Sequence, residues 1–367
     1  ARLRGIVVMS NISLKKNMIL NAIKQACSIL FPFISFVYCS RVLGARQIGI
    51  YSFGQSIISY LLLISNLGIP NYTVREGAII RNKKKELSTF INEIFTINCI
   101  SMLISYGVLI LIVTQFTSLD IYKTIILIQS LQILLVTFGA DWVNTIFEDY
   151  YYLTVRYVII QIISLLCLLM FIKSSNDIYM YTFISVLANA GGNILNFVYL
   201  RKKGVHICLT CKINMKKHLK PIIILFFSNI ASVIYLNSDI TMIGLILDDT
   251  QVGIYTVASK IYTMIKTLIN AVILVTVPRF SLYIETKQKE RYIKDLQRII
   301  DVLIMMMVPI IVGMFVKADD IIMLIAGEEY LTGVNTIRIL SIAILFSVLA
   351  CYMSYSILLP NKEDVTF

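Results

Sequence analysis

The sequence contains few charged residues. Only 15% of its 367 residues are Asp, Glu, Lys or Arg, whereas charged residues make up about a quarter of a typical soluble domain. Hydrophobic residues account for 58% of the chain, and the mean hydropathy is +0.81. This composition excludes an ordinary soluble globular domain and predicts a protein that crosses a membrane many times.

Residues and motifs typical of catalysis and metal binding are also scarce. The chain has two histidines and no G-x-x-x-x-G-K-[ST] phosphate-binding motif. Its seven cysteines fall mostly inside apolar runs, and a single Cys208-Leu-Thr-Cys211 without a second pair is a poor zinc motif. We therefore expect no enzyme activity, no metal and no cofactor, and we leave open a coupling proton or sodium ion.

The net charge of +12 is compatible with nucleic-acid binding by its magnitude alone. However, the basic residues concentrate in particular loops and are not interleaved with aromatic residues, as they would be in a nucleic-acid groove. Segregation of Lys and Arg between alternate loops is the pattern that membrane topology produces. We expect a lipid bilayer as partner and no nucleic acid.

Ten apolar runs are long enough to cross a hydrocarbon core of about 30 Å as helices. They are 17–40, 49–69, 92–113, 124–143, 155–172, 178–200, 221–247, 252–277, 299–316 and 336–359. Most Lys and Arg residues lie before the first run and in the even-numbered loops. Arg156 is assigned to the fourth of the loops between spans. This asymmetry predicts that the N-terminus and the even-numbered loops are cytoplasmic.

A short pattern, Gly-Ile-Tyr at the start of an apolar run, occurs at residues 49–51 and again at 253–255. Self-similarity at such a spacing predicts two related lobes with a substrate path between them. We expect an N-terminal six-helix lobe at 1–200, a basic cytoplasmic linker at 201–220 and a C-terminal lobe at 221–367. The second lobe then holds four spans, and we expect its last helices to be missing from this chain.

Several spans carry polar side chains at helical spacing, which forms a face that is unsuited to lipid. Hydrogen bonding between helices accounts for many Ser and Thr residues. A Lys at the bilayer centre, by contrast, costs about 2.5–3.5 kcal/mol on insertion scales, so intramembrane charges favour a hydrated cavity or a charged partner. The candidate cavity residues are Asn21, Lys24, Gln25, Ser28, Gln55, Asn66, Asp239, Lys260 and Lys266.

Two of these charges are predicted to pair with each other. Asp239 lies ten residues before Asp249, at the turn between the seventh and eighth spans, and Lys260 lies eleven residues after it. At 1.5 Å per residue, the two side chains reach similar depths on antiparallel neighbours. An ion pair between Asp239 and Lys260 would relieve two intramembrane charges at once.

Several motifs in this order resemble a known family. They are Ser40-Arg-Val-Leu-Gly44 with Gly49-Ile-Tyr51, the stretch 67–76, Asp141-Trp142 with Phe147-Glu-Asp149, Asp239 to Gly244, Thr276-Val-Pro-Arg279 and the end of the tenth span at 358–362. On these residues the chain resembles the bacterial polysaccharide repeat-unit flippases, the O-antigen and capsule translocases of the multidrug/oligosaccharidyl-lipid/polysaccharide exporter superfamily.

The resemblance implies an all-α, polytopic, two-lobed transporter in the bacterial plasma (inner) membrane. Its substrate would be an undecaprenyl-diphosphate-linked oligosaccharide for O-antigen or capsular polysaccharide, moved by alternating access. Polysaccharide polymerase and export proteins would be possible partners. Members of that superfamily have twelve to fourteen spans, whereas this sequence contains ten.

Three other functions compete with this interpretation: a multidrug extruder of the same superfamily, a membrane enzyme acting on the same lipid-linked sugars, and a scaffold of the export complex. An extruder of organic cations would be expected to line its cavity with carboxylates, whereas the charges inside the spans here are mainly lysines. Catalytic groups of the enzymes lie on sizeable outer loops, which this sequence lacks. We therefore expect Lys24 and Lys266 to receive the diphosphate from opposite lobes.

The basic loops are also expected to hold anionic lipid, since each Lys or Arg near such a surface contributes about 1 kcal/mol. Changing Lys83, Lys84 and Lys85 together to Gln should therefore reduce the number of anionic lipids that copurify with the protein, measured by native mass spectrometry. Lys123→Gln is the control, because Lys123 belongs to a loop that is predicted to lie on the opposite side of the membrane. Unchanged lipid retention and unchanged orientation in the triple variant would contradict this expectation.

Overall fold

The computed structural model describes residues 14–211 and 214–360, with side chains described from Lys24 onward except that of Lys216. Within these ranges every regular element is helical. Nine of the described helical segments are long and apolar enough to cross a membrane. The predicted fold class, an all-α polytopic membrane protein, is confirmed.

Thirteen α-helices follow one another in the described residues. They are α1 (Leu14–Asn66), α2 (Ile69–Ile80), α3 (Lys84–Gln115), α4 (Lys123–Gly139), α5 (Asp141–Ile146), α6 (Tyr150–Phe171), α7 (Ile178–Val186), α8 (Gly192–Lys202), α9 (Met215–Ile246), α10 (Asp249–Glu285), α11 (Lys289–Val316), α12 (Ala318–Ile325) and α13 (Val334–Tyr352). A π-helical stretch, Leu187–Gly191, joins α7 to α8, and another, Met353–Leu358, follows α13.

The first helical segment accounts for two predicted spans. Residues Lys24–Ile80 cover 57 positions, or about 85 Å of helix, nearly three times the thickness of a hydrocarbon core. Gly44 interrupts α1 with φ 81° and ψ 169°, a conformation outside the helical region. Because glycine adopts positive φ without steric cost, the chain can turn here between its first and second crossings.

The chain divides into two compact units, Ala1–Val252 and Gly253–Phe367. In the first unit α1 packs against α3, α4, α6 and α9. In the second, α11 and α12 pack against α13. The helix α9, which the sequence assigns to the C-terminal lobe, thus lies in the first unit, and the division into lobes at 201–220 stays a prediction.

Polar side chains fasten the helices of the first unit to one another. The carbonyl oxygen of Ser65 accepts hydrogen bonds from Asn98 (2.9 Å) and Ser101 (2.6 Å), and the Ser65 hydroxyl lies 3.2 Å from that of Thr137. Ser105 donates to the carbonyl oxygen of Leu61 at 2.8 Å. These contacts join α1 to α3 and α4 without help from water, as helices in a bilayer require.

Gly244 is a point at which α9 lies close to α1. A Cβ atom at this position would overlap the ring of Phe53, which is itself 1% exposed. Gly244→Ala should therefore lower the free energy of unfolding by about 1–3 kcal/mol, because the buried ring has no room to move. Thermal unfolding in detergent measures the change.

Gly107→Ala is the matched control, since it also places alanine inside a helix, but apart from its chain neighbours and its own helical backbone no described atom lies within 4 Å of the added Cβ. It should leave stability unchanged or raise it slightly through helix propensity. Equal melting temperatures for the two variants would show that the approach of α9 to α1 is not constrained at Gly244.

Candidate functional site

A cavity of about 470 Å³ lies inside the first unit. Residues of α1, α2, α3, α4, α5, α6 and α8, with the π-helical stretch between α7 and α8, form its wall. Lys24 lies 20 residues before Gly44 and Asn66 lies 22 after it, so both are about 30 Å of helix from the turn between the first two crossings. The cavity is therefore at the end of the bundle that carries the basic loops.

The cavity wall combines three charged groups with several amides. The charged residues are Lys24, Asp141 and Arg156. Five asparagines accompany them: Asn66, Asn71, Asn98, Asn189 and Asn193. An amide carries both hydrogen-bond donors and an acceptor, so the amide groups that are not already engaged can satisfy a polar ligand in either direction.

Asp141 and Arg156 form an ion pair in this wall. Nη2 of Arg156 donates to Oδ2 of Asp141 at 2.5 Å, and the Arg156 side chain is only 8% exposed. With its amide nitrogen turned toward the carboxylate, Asn193 donates to both Asp141 oxygens at 3.2 Å. Lys24 is close enough to interact electrostatically with both partners. The wall thus carries two cations and one carboxylate that is already engaged.

Two buried donors in the same wall have no hydrogen-bond partner among the described residues: Nη1 of Arg156 and Nε1 of Trp142. Trp142 is 6% exposed. A buried donor without a partner costs about 1–3 kcal/mol, so such groups are rare and usually mark a strained or functional position. Both donors would be satisfied by an acceptor-rich ligand that entered the cavity and reached them.

Aromatic rings support the guanidinium of Arg156 on its far side. Its Cζ atom lies 5.4 Å from the centre of the Tyr152 ring, which stacks on Tyr199 at 3.5 Å with an interplanar angle of 6°. The Tyr199 hydroxyl and Lys203 Nζ both donate to Oδ2 of Asp149, at 2.6 and 2.5 Å. Burial alone would lower the pKa of Lys203, but these hydrogen bonds outweigh it and raise the pKa, so Lys203 stays charged.

Glycine gives Arg156 and Asn193 the space they occupy. A Cβ at Gly192 would lie 3.2 Å from Nε of Arg156, and one at Gly139 would overlap the Asn193 side chain. The end of α4 and the start of α8 can therefore approach each other closely beside the ion pair. Larger residues here would push both polar groups away from Asp141.

Two of the residues predicted from sequence line this cavity, Lys24 and Asn66. Gln55 lies elsewhere and accepts a hydrogen bond from Gln132 at 3.0 Å, which joins α1 to α4. Ser28 donates to the carbonyl oxygen of Gln25 in its own helix, and the Gln25 side chain is exposed. The Asn21 side chain lies outside the described residues.

The remaining predicted residues belong to α9 and α10. Asp239 is exposed and accepts a hydrogen bond from Ser238 at 3.3 Å. Lys260 is exposed in the second unit, and its pairing with Asp239 stays a prediction. Lys266 is half-buried, with Nζ 5.1 Å from the centre of the Tyr262 ring.

Sequence reasoning missed the ion pair. It interpreted Arg156 as part of a loop, but α6 begins at Tyr150 and places Arg156 in its second turn, buried in the cavity wall. Asp141 and Trp142 entered the prediction only as part of a family motif, although both line the cavity. The usable signal was that Asp141 and Trp142 belong to a motif of the resembled family, with an arginine 15 residues farther on.

Comparisons with known proteins agree with the resemblance. Residues 14–284 match the model of a family described as polysaccharide biosynthesis protein. A protein of Escherichia coli (strain K12) named "Putative O-antigen transporter" is 24% identical over 277 residues, which cover 74% of this chain and 66% of the relative. The chain thus matches just under two thirds of that relative's length. No solved structure matches the chain significantly.

The matched region contains every residue of the cavity wall, from Lys24 to Asn193. It also covers most of the described helices, up to the last residues of α10. A match of this extent, over an all-α chain that crosses the membrane repeatedly, is sufficient to assign the family. The chain belongs to the family of polysaccharide biosynthesis proteins.

Proposed function

We propose that this protein is a flippase that moves undecaprenyl-diphosphate-linked oligosaccharide repeat units across the bacterial plasma membrane, for O-antigen or capsular polysaccharide synthesis. Family membership and the name of the Escherichia coli relative support a transport role in this pathway. The observation that carries the proposal is the cavity in the first unit, which combines Lys24 and Arg156 with five asparagines. Positive charge suits a diphosphate, and amides suit sugar hydroxyls.

The diphosphate would bind at Lys24 and Arg156. An arginine presents several donors in a fixed plane, so Arg156 can hold Asp141 through Nη2 and offer Nη1 to a phosphate oxygen. Nε1 of Trp142 supplies a further donor that has no other partner among the described residues. Binding would therefore replace an unfavourable arrangement of buried donors with a satisfied one.

The position of the cavity fits entry from the cytoplasmic leaflet. It lies at the end of the first unit that bears the basic loops, and that end is the cytoplasmic one by the positive-inside rule. A lipid-linked substrate carries its diphosphate at the membrane surface and its sugars beyond it. The cavity would thus receive the diphosphate at the depth at which it already lies.

The second unit would supply a corresponding cation for alternating access. Lys266 lies beside Tyr262, and one turn farther along α10 the buried Oδ1 of Asn270 has no hydrogen-bond partner among the described residues. The Asn270 oxygen is an acceptor, so it suits a donor such as a sugar hydroxyl, whereas the charge of Lys266 suits a phosphate. We propose that Lys266 receives the diphosphate at a later step of transport.

A multidrug extruder for organic cations fits the cavity less well. The acidic residue of the cavity wall, Asp141, already accepts hydrogen bonds from Arg156 and Asn193, so the wall offers no uncompensated negative charge. An organic cation would also meet Lys24 and Arg156 in the same wall. Like charges in a site of low dielectric repel strongly, which favours an anionic substrate.

The first test is transport by the intact protein reconstituted in liposomes with a fluorescent undecaprenyl-diphosphate-linked oligosaccharide. Lys24→Ala and Lys266→Ala should each reduce the initial rate of leaflet transfer at least tenfold, because each removes a charge that binds the diphosphate. Lys123→Ala is the control, since Lys123 pairs with Asp120 at 2.7 Å outside the cavity. Full transport by the double variant, or transport of organic cations in place of the lipid-linked sugar, would contradict the proposal.

A second test separates the geometry of Arg156 from its charge. Arg156→Lys keeps the positive charge, but an ammonium group lacks the planar fork that can serve Asp141 and a phosphate together. We expect the substrate concentration for half-maximal transport to rise by about tenfold, the equivalent of one lost charged hydrogen bond. Arg201→Lys is the matched control, because Arg201 is exposed over the Phe197 ring and away from the cavity. Unchanged concentration dependence in Arg156→Lys would exclude a direct role for the guanidinium.

A further inference from the structure

We infer that α2 is a hinged wall of the cavity and that His218 holds it closed. The inference concerns how the cavity opens, and it rests on the proposed function only for the identity of the ligand. Three observations carry it: a hinge before α2, cavity residues on α2, and a buried hydrogen-bonded histidine that fixes α2 to its neighbours.

The hinge consists of two residues between α1 and α2. Leu67 has φ 47° and Gly68 has φ 75°, so both adopt the left-handed conformation and break the helix. Leucine adopts positive φ only at an energetic cost, and such strained positions persist where the surrounding structure holds them. Gly68 also lies against α9, where an added Cβ would be 2.9 Å from Cβ of Leu225.

The helix beyond this hinge contributes directly to the cavity. Pro70, Asn71 and Val74, all within the first two turns of α2, belong to its wall. A rotation at residues 67–68 would move these three side chains together. Asp141, Trp142 and Arg156 belong to the same wall, and α5, which carries the first two, packs directly against α2, so such a movement would open the wall beside the proposed diphosphate site.

His218 joins α2 to two other helices. The Tyr72 hydroxyl lies 2.8 Å from Nδ1 of His218, and Nε2 of His218 lies 2.7 Å from Oε2 of Glu93 in α3. His218 is 0% exposed, and the Phe90 ring packs edge-on against it at 5.6 Å. Because the neutral imidazole can donate to Glu93 while accepting from Tyr72, both ring nitrogens are satisfied in this arrangement.

Apolar side chains of α2 pack in a core shared with α3 and α5, and its other polar attachment is more exposed. At its far end Arg81 pairs with Glu148 at 2.7 Å, but Glu148 is half exposed, and ion pairs of this kind contribute little in water. The contacts of His218, by contrast, lie in a dry environment where hydrogen bonds are stronger. The pair of Tyr72 and His218 is therefore the principal hydrogen-bonded restraint that joins α2 to α9 among the described residues.

The size of the cavity gives a reason for it to open. A volume of about 470 Å³ is within the range of pockets that hold drug-sized ligands. An oligosaccharide attached to a diphosphate is larger than such a ligand. Release of Tyr72 from His218 would let α2 move away from α5 and admit the sugars beside the diphosphate.

Tyr72→Phe tests the inference, because it removes one hydroxyl and keeps the ring that packs against Phe90. Trp142, which lies in the cavity wall, reports access through quenching of its fluorescence by acrylamide in the intact protein in nanodiscs. A Trp142→Phe sample gives the signal to subtract. We expect Tyr72→Phe to raise the quenching constant of Trp142 at least twofold and to speed amide exchange in residues 69–80 at least fivefold.

Tyr106→Phe is the matched control, since it removes a hydroxyl that donates to the Ser130 carbonyl at 2.9 Å, away from α2. It should leave both measurements at their wild-type values. Unchanged quenching and exchange in Tyr72→Phe, or equal acceleration of exchange in all helices, would overturn the inference. Neither measurement contains substrate, so the result is independent of whether the lipid-linked sugar is transported, and a failed transport assay would not decide it.

Discussion

Hydrocarbon offers no hydrogen-bond partner, so every polar group that the chain carries into the bilayer must find one inside the protein. This constraint explains how the first unit is organised. The Ser65 carbonyl collects donors from α3, Gln55 receives Gln132 from α4, and Asn196 donates to the Gly139 carbonyl. These polar contacts fix the register between helices whose apolar surfaces alone would allow sliding.

Two of the exceptions among the described residues lie together in one cavity wall, whereas others, such as Oδ1 of Asn270, lie elsewhere. Arg156 and Trp142 each keep a buried donor that no described group accepts, and both lie in the wall of the same cavity. The neighbouring polar groups of Asp141 and Asn193 are by contrast engaged with each other and with Arg156. In this site the carboxylate has hydrogen-bond donors, but some donors have no acceptor. Such a site suits a ligand rich in acceptors, such as a phosphate.

The same requirement, that polar groups avoid hydrocarbon, explains which features could be predicted from the sequence. Span positions were predictable because bilayer thickness dictates the length of an apolar run, and the break at Gly44 lies between the first two predicted spans. Lys24 and Asn66 were found because each stands in a polar stripe along a helix. Such a stripe shows that a face avoids lipid, but not which neighbour it meets.

Gln55 and Arg156 show this limit most clearly. Gln55 belongs to a polar stripe like that of Lys24, yet it is used to bind Gln132 in a neighbouring helix. Arg156 was assigned to a loop because it lies at the edge of an apolar run. In the structure α6 already begins at Tyr150, and the Arg156 side chain is buried. Both outcomes depend on contacts between residues of different helices, 77 positions apart for Gln55 and Gln132 and 15 positions apart for Asp141 and Arg156. Composition and periodicity do not reveal such contacts.

The pairing of Asp141 with Arg156 has a consequence for how tightly a ligand can bind. Without Asp141 the empty cavity would hold two cations and no carboxylate, an arrangement that is costly where the dielectric constant is low. With Asp141 present, a phosphate of the proposed substrate would have to share Arg156 with a carboxylate that already holds it. The net binding free energy is then the difference between the interaction of Arg156 with the phosphate and its interaction with Asp141, and it stays moderate. The proposed transport would require that moderation, because a site that binds too strongly cannot release its substrate on the other side of the membrane.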